Sequence, residues 1–578
     1  MIKYRTRRKY LERSDGKMLI GIDIGGTSTD GILVHQGIIL NSAKCYTDEK
    51  NLETSILTVL DALIHDIAKE NISRIVLSTT LVTNLLAKKA GEKTALVLIP
   101  GPGLNVKQME LFPHTFIING ATDFRGRIIE DLNVEQVEKV GKTIFEKDIR
   151  NVAIVGKFSP RNSELEQRTR EILLKKYPEF KITLGFQTAG QLNFLRRAAT
   201  TYYTAMTQGK WESFAESIKK AIMERKINAP LNILKADGGT MSFDISLKNP
   251  CETVFSGPAA SVMGAIALTM DSETSVVVDI GGTTTDLALI LEGRPLYASK
   301  GALIEGHYTG IRSFNVRSIA LGGDSEIRLS GSQILIGPNR GGLAACFGGP
   351  EATPTDAINI LENMKLGEMD LSSQALEKIA RPLGLSCEKL AKLIINQFLD
   401  TLEKNILDMF KAWKEEPAYK VYEVVNKREA KVDKVVGIGG GAEAFIPLIA
   451  NRLGCSSVVH PYASVANALG AAVSRPTLSL LFHADTRQGH FQINHEGISG
   501  KVPDNLNLLG AKEMAKNHLK QLMRKREMVE YFDQYEFFLE EQFNTISDYR
   551  TTGKIFDIGI QVISGVINEF KGVEINGK

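Results

Sequence analysis

The chain is poor in the features that mark several protein classes. Five cysteines (Cys45, Cys251, Cys346, Cys387 and Cys455) are scattered over 578 residues, and no two form a Cys-x-x-Cys pair. That spacing argues against a structural zinc site, an iron–sulfur cluster or a disulfide framework, and the expected compartment is a reducing cytoplasm. No apolar run reaches the roughly 18 residues of a membrane span, so no membrane is expected. Charge of one sign is not in excess, with a formal net charge of +3. No basic stripe with interleaved aromatics points to nucleic acid. The basic start (Lys3, Arg5, Arg7, Arg8, Lys9) is followed by no apolar stretch, which excludes a secretory signal reading. Residues 1–17 are expected to form an extension that folding does not need. Hydrophobic residues at 43% and charged ones at 24% are ordinary for a globular protein, and the length suits about two to four domains.

What is present is an internal repeat. Asp23-Ile24-Gly25-Gly26-Thr27-Ser28-Thr29-Asp30 returns as Asp279-Ile280-Gly281-Gly282-Thr283-Thr284-Thr285-Asp286, with one letter changed. Each copy follows an apolar run (Met18 to Ile22, Ser275 to Val278) and precedes another, so the unit is strand, glycine turn, strand. Paired glycines let backbone N–H groups approach an anion because no Cβ intervenes. Threonine hydroxyls add donors, and a carboxylate ending the strand can hold a divalent cation through water. A hairpin turn alone needs glycine, but it does not need the flanking aspartates twice. Two such turns facing each other would clamp a metal–triphosphate.

Between and beyond the repeats, strands alternate with helices, which indicates layered α/β domains. Residues 18–46 read as a meander with turns at Gly25-Gly26 and Gln36-Gly37. Leu52, Ile56, Leu60 and Leu63 mark an amphipathic helix. Val435 to Ala442 is a strand ending in Gly439, Gly440 and Gly441 before an apolar helix, a place that suits a nucleotide. The small residues of 256–265 and of 464–473 suit helices that pack closely. Residues 510–545 look helical, and 554–563 look like a strand. The division expected is an extension at 1–17, a first α/β domain at 18–195, a second at 196–475 and a small α+β piece at 476–578. His307, His460 and His483 receive no role, and Arg340 reads more readily as a loop arginine than as a phosphate contact.

Two Asp-Ile-Gly-Gly-Thr hairpins and a late Gly-Gly-Gly turn resemble the actin, sugar-kinase and Hsp70 ATPase superfamily. The finer resemblance is to the hydantoinase A/5-oxoprolinase family. Ser78-Thr79-Thr80-Leu81-Val82-Thr83-Asn84 is similar to its Gly-Thr-Thr-x-x-x-Asn segment, and Arg196 to Thr201 to its Arg-x-x-Thr-Thr region. Ala236-Asp237-Gly238-Gly239 resembles Ser-Asp-Gly-Gly. Ser256-Gly257-Pro258-Ala259-Ala260 leading into the second octet is the most specific match, and Thr355-Asp356-Ala357 fits too. Departures fall at Gly322-Gly323-Asp324-Ser325 for Gly-Gly-Gly-Ser, at Gly337-Pro338-Asn339-Arg340-Gly341-Gly342 for Gly-Pro-x-Ser-Ala-Gly, and at residues 344–349 and 439–443.

The resemblance implies a duplicated actin-like (ribonuclease H-like) α/β fold with a central nucleotide cleft. It implies ATP and Mg²⁺ as cofactors, a small cyclic amide, imide or ketone as substrate, a B-type subunit as partner, and an oligomer. The hydrolase reading carries two rivals, a small-molecule kinase and a non-catalytic ATP-driven activator. Asp23 and Asp279 are expected beside the metal, and Gly25, Gly26, Thr27, Gly281, Gly282, Thr283 and Thr284 on phosphates. Gly439, Gly440 and Gly441 are expected near adenosine. Asp30 and Asp286 are candidates for substrate or water contact, or for locking the hairpin.

Overall fold

The computed structural model describes residues 17–48, 50–106, 111–416, 430–494, 498–503, 505–547 and 549–574. The expectation for the basic extension therefore lies, Lys17 apart, outside the described residues.

The first octet sits in a six-stranded sheet. Met18–Ile24, Ser28–His35 and Ile38–Tyr46 form an antiparallel meander, as the two turn signals predict. Ile72–Thr79 then runs parallel to the first strand, Leu231–Leu234 runs parallel to that, and Thr240–Ser242 closes the edge. The central strand is covered on both faces: Ile20, Ile22 and Ile24 are fully buried on one, and Gly21 on the other lies against the backbone of Ala468 and Ala472.

The second octet sits in a sheet of the same design. Ser275–Ile280 and Thr285–Leu291 form the hairpin, continued antiparallel by Arg294–Pro295 and Val316–Ile319. Lys434–Ile438 and Ser456–Val459 follow on the other side in parallel. The repeat of eight letters is thus a repeat of two whole sheets, and the fold is the duplicated actin-like architecture expected.

Sheet membership crosses the linear division of the chain. Residues 231–242 complete the first sheet although they follow residue 195. Between the fourth strand and its neighbour the chain builds a separate four-stranded parallel sheet. It comprises Thr94–Ile99, Thr115–Ile117, Asn151–Gly156 and Lys181–Leu184, with its own core around Val97, Ile144, Ile154 and Leu173. The Phe194–Glu224 helix leads back from it, pinned by the fully buried Trp211, whose indole donates to Ser246 Oγ at 2.9 Å.

The two halves meet through two short helices made of small residues, Ser256–Thr269 and Ala466–Val473. A Cβ on Gly264 would collide with the Ala466 carbonyl, and one on Gly470 with the Ala260 carbonyl. A Cβ on Gly21, in the central strand of the first sheet, would strike the Ala468 carbonyl. Helix backbone and strand backbone touch because the side chains between them are absent.

The C-terminal region is a five-stranded antiparallel sheet backed by the Leu508–Lys525 helix. The helical reading of 510–545 is half corrected: the helix stops at Lys525, and Tyr535–Ser547 is a strand paired with Arg550–Val562. Tyr535-Glu536-Phe537-Phe538-Leu539 is aromatic-rich sequence of strand character, and its long-range partner overrides any local helical pattern.

Candidate active site

Both octets make the same turn. Gly25 N–H donates to Ser28 O and Gly281 N–H to Thr284 O, each at 3.0 Å. Asp23 pairs across the hairpin with Asp30, and Asp279 with Asp286. None of the four turn glycines has a positive φ. Glycine is therefore not required there by backbone handedness. At Gly26 no atom lies within 4 Å of a would-be Cβ, and the residue faces open space.

The aspartates crowd one another. Asp23 is 5% exposed, and burial pushes its carboxyl up to about 7, with repulsion from Asp30 and Asp279 adding to the shift against hydrogen bonds from Ser78 and Asn467. Burial likewise raises Asp286 to about 7, with Asp279 contributing and Ser318 opposing. Asp30 is raised by burial too, although Lys44, 2.8 Å away, and Ser28, at 3.1 Å, pull the other way. Asp279 accepts from Ser261 Oγ at 2.6 Å and from Asn467 Nδ2 at 3.1 Å. Asn467 thus stands between the carboxylates of the two repeats. Asp23 Oδ1 and Asp286 Oδ1 are shut off from solvent with no hydrogen-bond partner.

That charge pattern fits a divalent cation. Like-charged carboxylates with orphaned oxygens are stabilised by a cation placed between them. Among the described residues no cluster of three or more His, Cys, Asp or Glu could hold a metal by itself. Mg²⁺ needs no such cluster, because it keeps several waters and commonly takes one or two carboxylates plus phosphate oxygens.

The glycine-rich turn after Lys434–Ile438 joins this site. Gly439 has φ +83°, and its would-be Cβ lies against Asp279 Oδ1 and the Ile280 carbonyl. Gly441 N–H donates to Ile280 O at 3.1 Å, while Gly440 faces open space. The Ala442–Leu453 helix begins here, so its unsatisfied N–H groups lie next to the second hairpin.

Some residues at the site were not anticipated. Asp324, whose N–H donates to Gly282 O at 2.8 Å, lies directly over the second turn, and Arg340 pairs with it at 2.7 Å. Arg340 also donates to Thr27 Oγ1 of the first turn at 3.3 Å, so the loop arginine belongs to the cleft. Asn467 had a legible signal, being the polar residue inside an alanine- and glycine-rich helix. Ser78 and Ser261 had weaker ones within segments already singled out.

Other motif segments are structural. Ser256 Oγ donates to Thr79 O at 3.0 Å and accepts from Thr79 N–H at 3.2 Å, tying the helix start to the end of the fourth strand. Asp237 is held by Lys235, Thr477 and Gly239 N–H. Asp356, fully buried, accepts from Ala345, Cys346 and Thr353 N–H groups and from Ser372 Oγ. Arg197, also fully buried, donates to the carbonyls of Gln191 and Gly156. His307 packs against Phe112, His460 accepts from Tyr462 N–H, and His483 pairs with Asp557, none of them at the hairpins. A concavity of about 1450 Å³ is lined by Arg74, Thr240, Tyr531 and others and contains none of the hairpin residues. It lies at the beginnings of the first and fourth strands, whereas the aspartates and glycine turns gather at the opposite strand ends.

The two related sheets and their matching turns define an actin-like α/β fold. Within that class, the N-terminal region model of the hydantoinase/oxoprolinase family matches residues 19–177, and the hydantoinase/oxoprolinase model matches residues 197–479. The chain belongs to the hydantoinase/oxoprolinase family. It is 25% identical over 441 residues to the acetophenone carboxylase gamma subunit of Aromatoleum aromaticum, covering 66% of this chain and 60% of that one. The aligned region spans less than two thirds of the length of such curated relatives. The nucleotide-free structure of acetone carboxylase superposes with a TM-score of 0.69 at 18% identity, covering 97% of this chain and 89% of that chain. The ATP-dependent caprolactamase from Pseudomonas jessenii gives a TM-score of 0.69 at 20% identity, covering 95% and 88%. No helix among the described residues is long and apolar enough to cross a membrane.

Proposed function

We propose that the chain uses Mg-ATP to phosphorylate the carbonyl oxygen of a small cyclic amide or imide. The observation that carries this reading is the meeting of two identical Asp-x-Gly-Gly-Thr turns around buried, mutually repelling carboxylates. In this reading the turns at Gly25 to Thr27, open at Gly26, and at Gly281 to Thr284, edged by Asp324, receive phosphates. Gly439 to Gly441 and the following helix start take the adenosine side. Asp23 and Asp279 hold Mg²⁺, mainly through water, and the ion neutralises phosphate charge. Asp286, with its free oxygen, is the better candidate for orienting substrate or water. Asp30, tied to Lys44 and Ser28, is the better hairpin lock.

The chemistry asked of the protein is chiefly positioning and charge stabilisation. The amide oxygen attacks the terminal phosphorus and ADP departs. Water then adds to the phosphorylated carbonyl carbon, the ring C–N bond breaks as the nitrogen leaves with a proton, and a second water cleaves the resulting acyl phosphate to carboxylate and phosphate. A ketone enolate is the second substrate class, favoured by the relative named as a carboxylase subunit. A B-type subunit is the expected partner, in a hetero-oligomer.

The test is ATP hydrolysis by the purified chain, with and without its genomic neighbour, across lactams, imides, ketones and sugars. Stimulation by a lactam or imide with ring opening supports the proposal. A phosphorylated sugar as product would make the chain a kinase. ATP-dependent shape change with no stimulating substrate would make it an activator.

A further inference from the structure

Arg340 and Asp324 form an ion pair that no hairpin residue requires. Their side chains are 22% and 15% exposed, so solvent only partly screens them. The loop carrying Asp324 is bound to the second turn: Gly323 N–H donates to Gly281 O at 2.9 Å and Asp324 N–H to Gly282 O at 2.8 Å. On its other side Thr355 donates to Gly323 O from both its N–H and its hydroxyl. Asp324 is therefore fixed in place over Gly282, where an added Cβ would lie 2.6 Å from Asp324 Oδ2. Arg340 is mounted on a different loop, steadied by Nε donating to Gly342 O at 3.0 Å. From there it reaches Asp324 with one terminal nitrogen and Thr27 with the other. The guanidinium thus spans from the second turn to the first. Lys44, the cation beside the first octet, is already committed to Asp30.

We propose that Arg340 binds the terminal phosphoryl group of the nucleotide, and that Asp324 holds its guanidinium in the cleft when that group is absent. The proposal rests on the nucleotide reading above. A planar guanidinium carries enough donors to keep Asp324 on one edge while giving another to a phosphate oxygen. The Thr27 contact, the longest of its three, is the one exchanged for phosphate. Diphosphate ends short of this position, so the pair distinguishes ATP from ADP and favours triphosphate entry.

Equilibrium binding of ATP and of ADP, each with Mg²⁺, tests this on the full chain and on Arg340→Ala, Arg340→Lys and Asp324→Asn. Losing a charge-assisted contact should weaken ATP by about 10- to 100-fold in Arg340→Ala, with ADP changed by no more than about 3-fold. Arg340→Lys should fall between, and Asp324→Asn should raise the preference for ATP over ADP. Equal weakening of both nucleotides in Arg340→Ala, or an unchanged preference, overturns the proposal while leaving the nucleotide site intact. No binding of either nucleotide by the parent chain overturns the nucleotide reading and this inference with it. If Arg340→Ala fails to fold, the ATP-to-ADP ratios of Arg340→Lys and Asp324→Asn decide the matter by the same criteria.

Discussion

At the scale of single residues, the buried carboxylates cost stability when ionised. Asp23 titrates near 7 in the folded chain against an ordinary 3.8, so the native state keeps a proton that the unfolded chain releases. Stability from this group is full below about pH 4, is lost as pH rises towards 7, and is level above that. Asp23→Asn mimics the protonated form. In the nucleotide-free protein it should gain about 1–3 kcal/mol at pH 8 and almost nothing at pH 4, while Mg-ATP binding is lost. Denaturant midpoints at the two pH values check this, and an Asn variant less stable at pH 8 would count against the site. Asp279→Ala should also weaken Mg-ATP strongly, because it removes the carboxylate that Ser261 and Asn467 hold in place. Gly439→Ala forces a side chain into a positive-φ position against the Asp279 carboxylate. It should lower stability by about 1–3 kcal/mol and reduce ATP affinity, read by calorimetry. For Gly282 the reason is different from the one that the sequence suggests. Valine there would meet Asp324 before it met a phosphate, so its effect on ATP should largely vanish in Gly282→Val combined with Asp324→Gly.

At the scale of elements, the crossing of the Ser256–Thr269 and Ala466–Val473 helices holds the two sheets in register. Both helices were legible as tightly packing from their alanines and glycines. What they pack against was not, because Gly21, Gly264 and Gly470 come from three distant parts of the chain. Gly470→Val cannot be absorbed by rotamer changes, since the atoms it would strike are backbone. The expected cost is about 3 kcal/mol or more, seen as a lower thermal midpoint, with nucleotide affinity falling because Asn467 sits on the same helix. A variant with the parent's midpoint would show that this crossing is looser than it stands here.

At the scale of the whole molecule, the C-terminal region is not a separable appendage. Its sheet buries Phe482, Phe556, Ile558 and Ile560 against Leu469 and Val473 of the linking helix and Ile32 and Val34 of the first sheet. A chain ending at residue 476 would expose that apolar face. It should aggregate or lose its cooperative unfolding transition, which scattering and thermal denaturation would reveal. A soluble, cooperative, ATP-binding truncation would contradict this packing.

The sequence by itself determined the duplication, the strand–turn–strand units, the aspartates that end them and the family. These signals are local: turn chemistry and strand patterning act over a few residues, and an eight-letter repeat is visible without any partner. Only the tertiary structure decided that residues 231–242 complete the first sheet and that 535–547 is a strand. Sheet edges and long hairpins draw their stability from partners far away in the chain. It also decided that Asn467, Asp324 and Arg340 share the cleft with the octets. Their placement depends on two helices touching backbone to backbone and on a loop zipped to the second turn. Such contacts leave no periodicity in the chain to read.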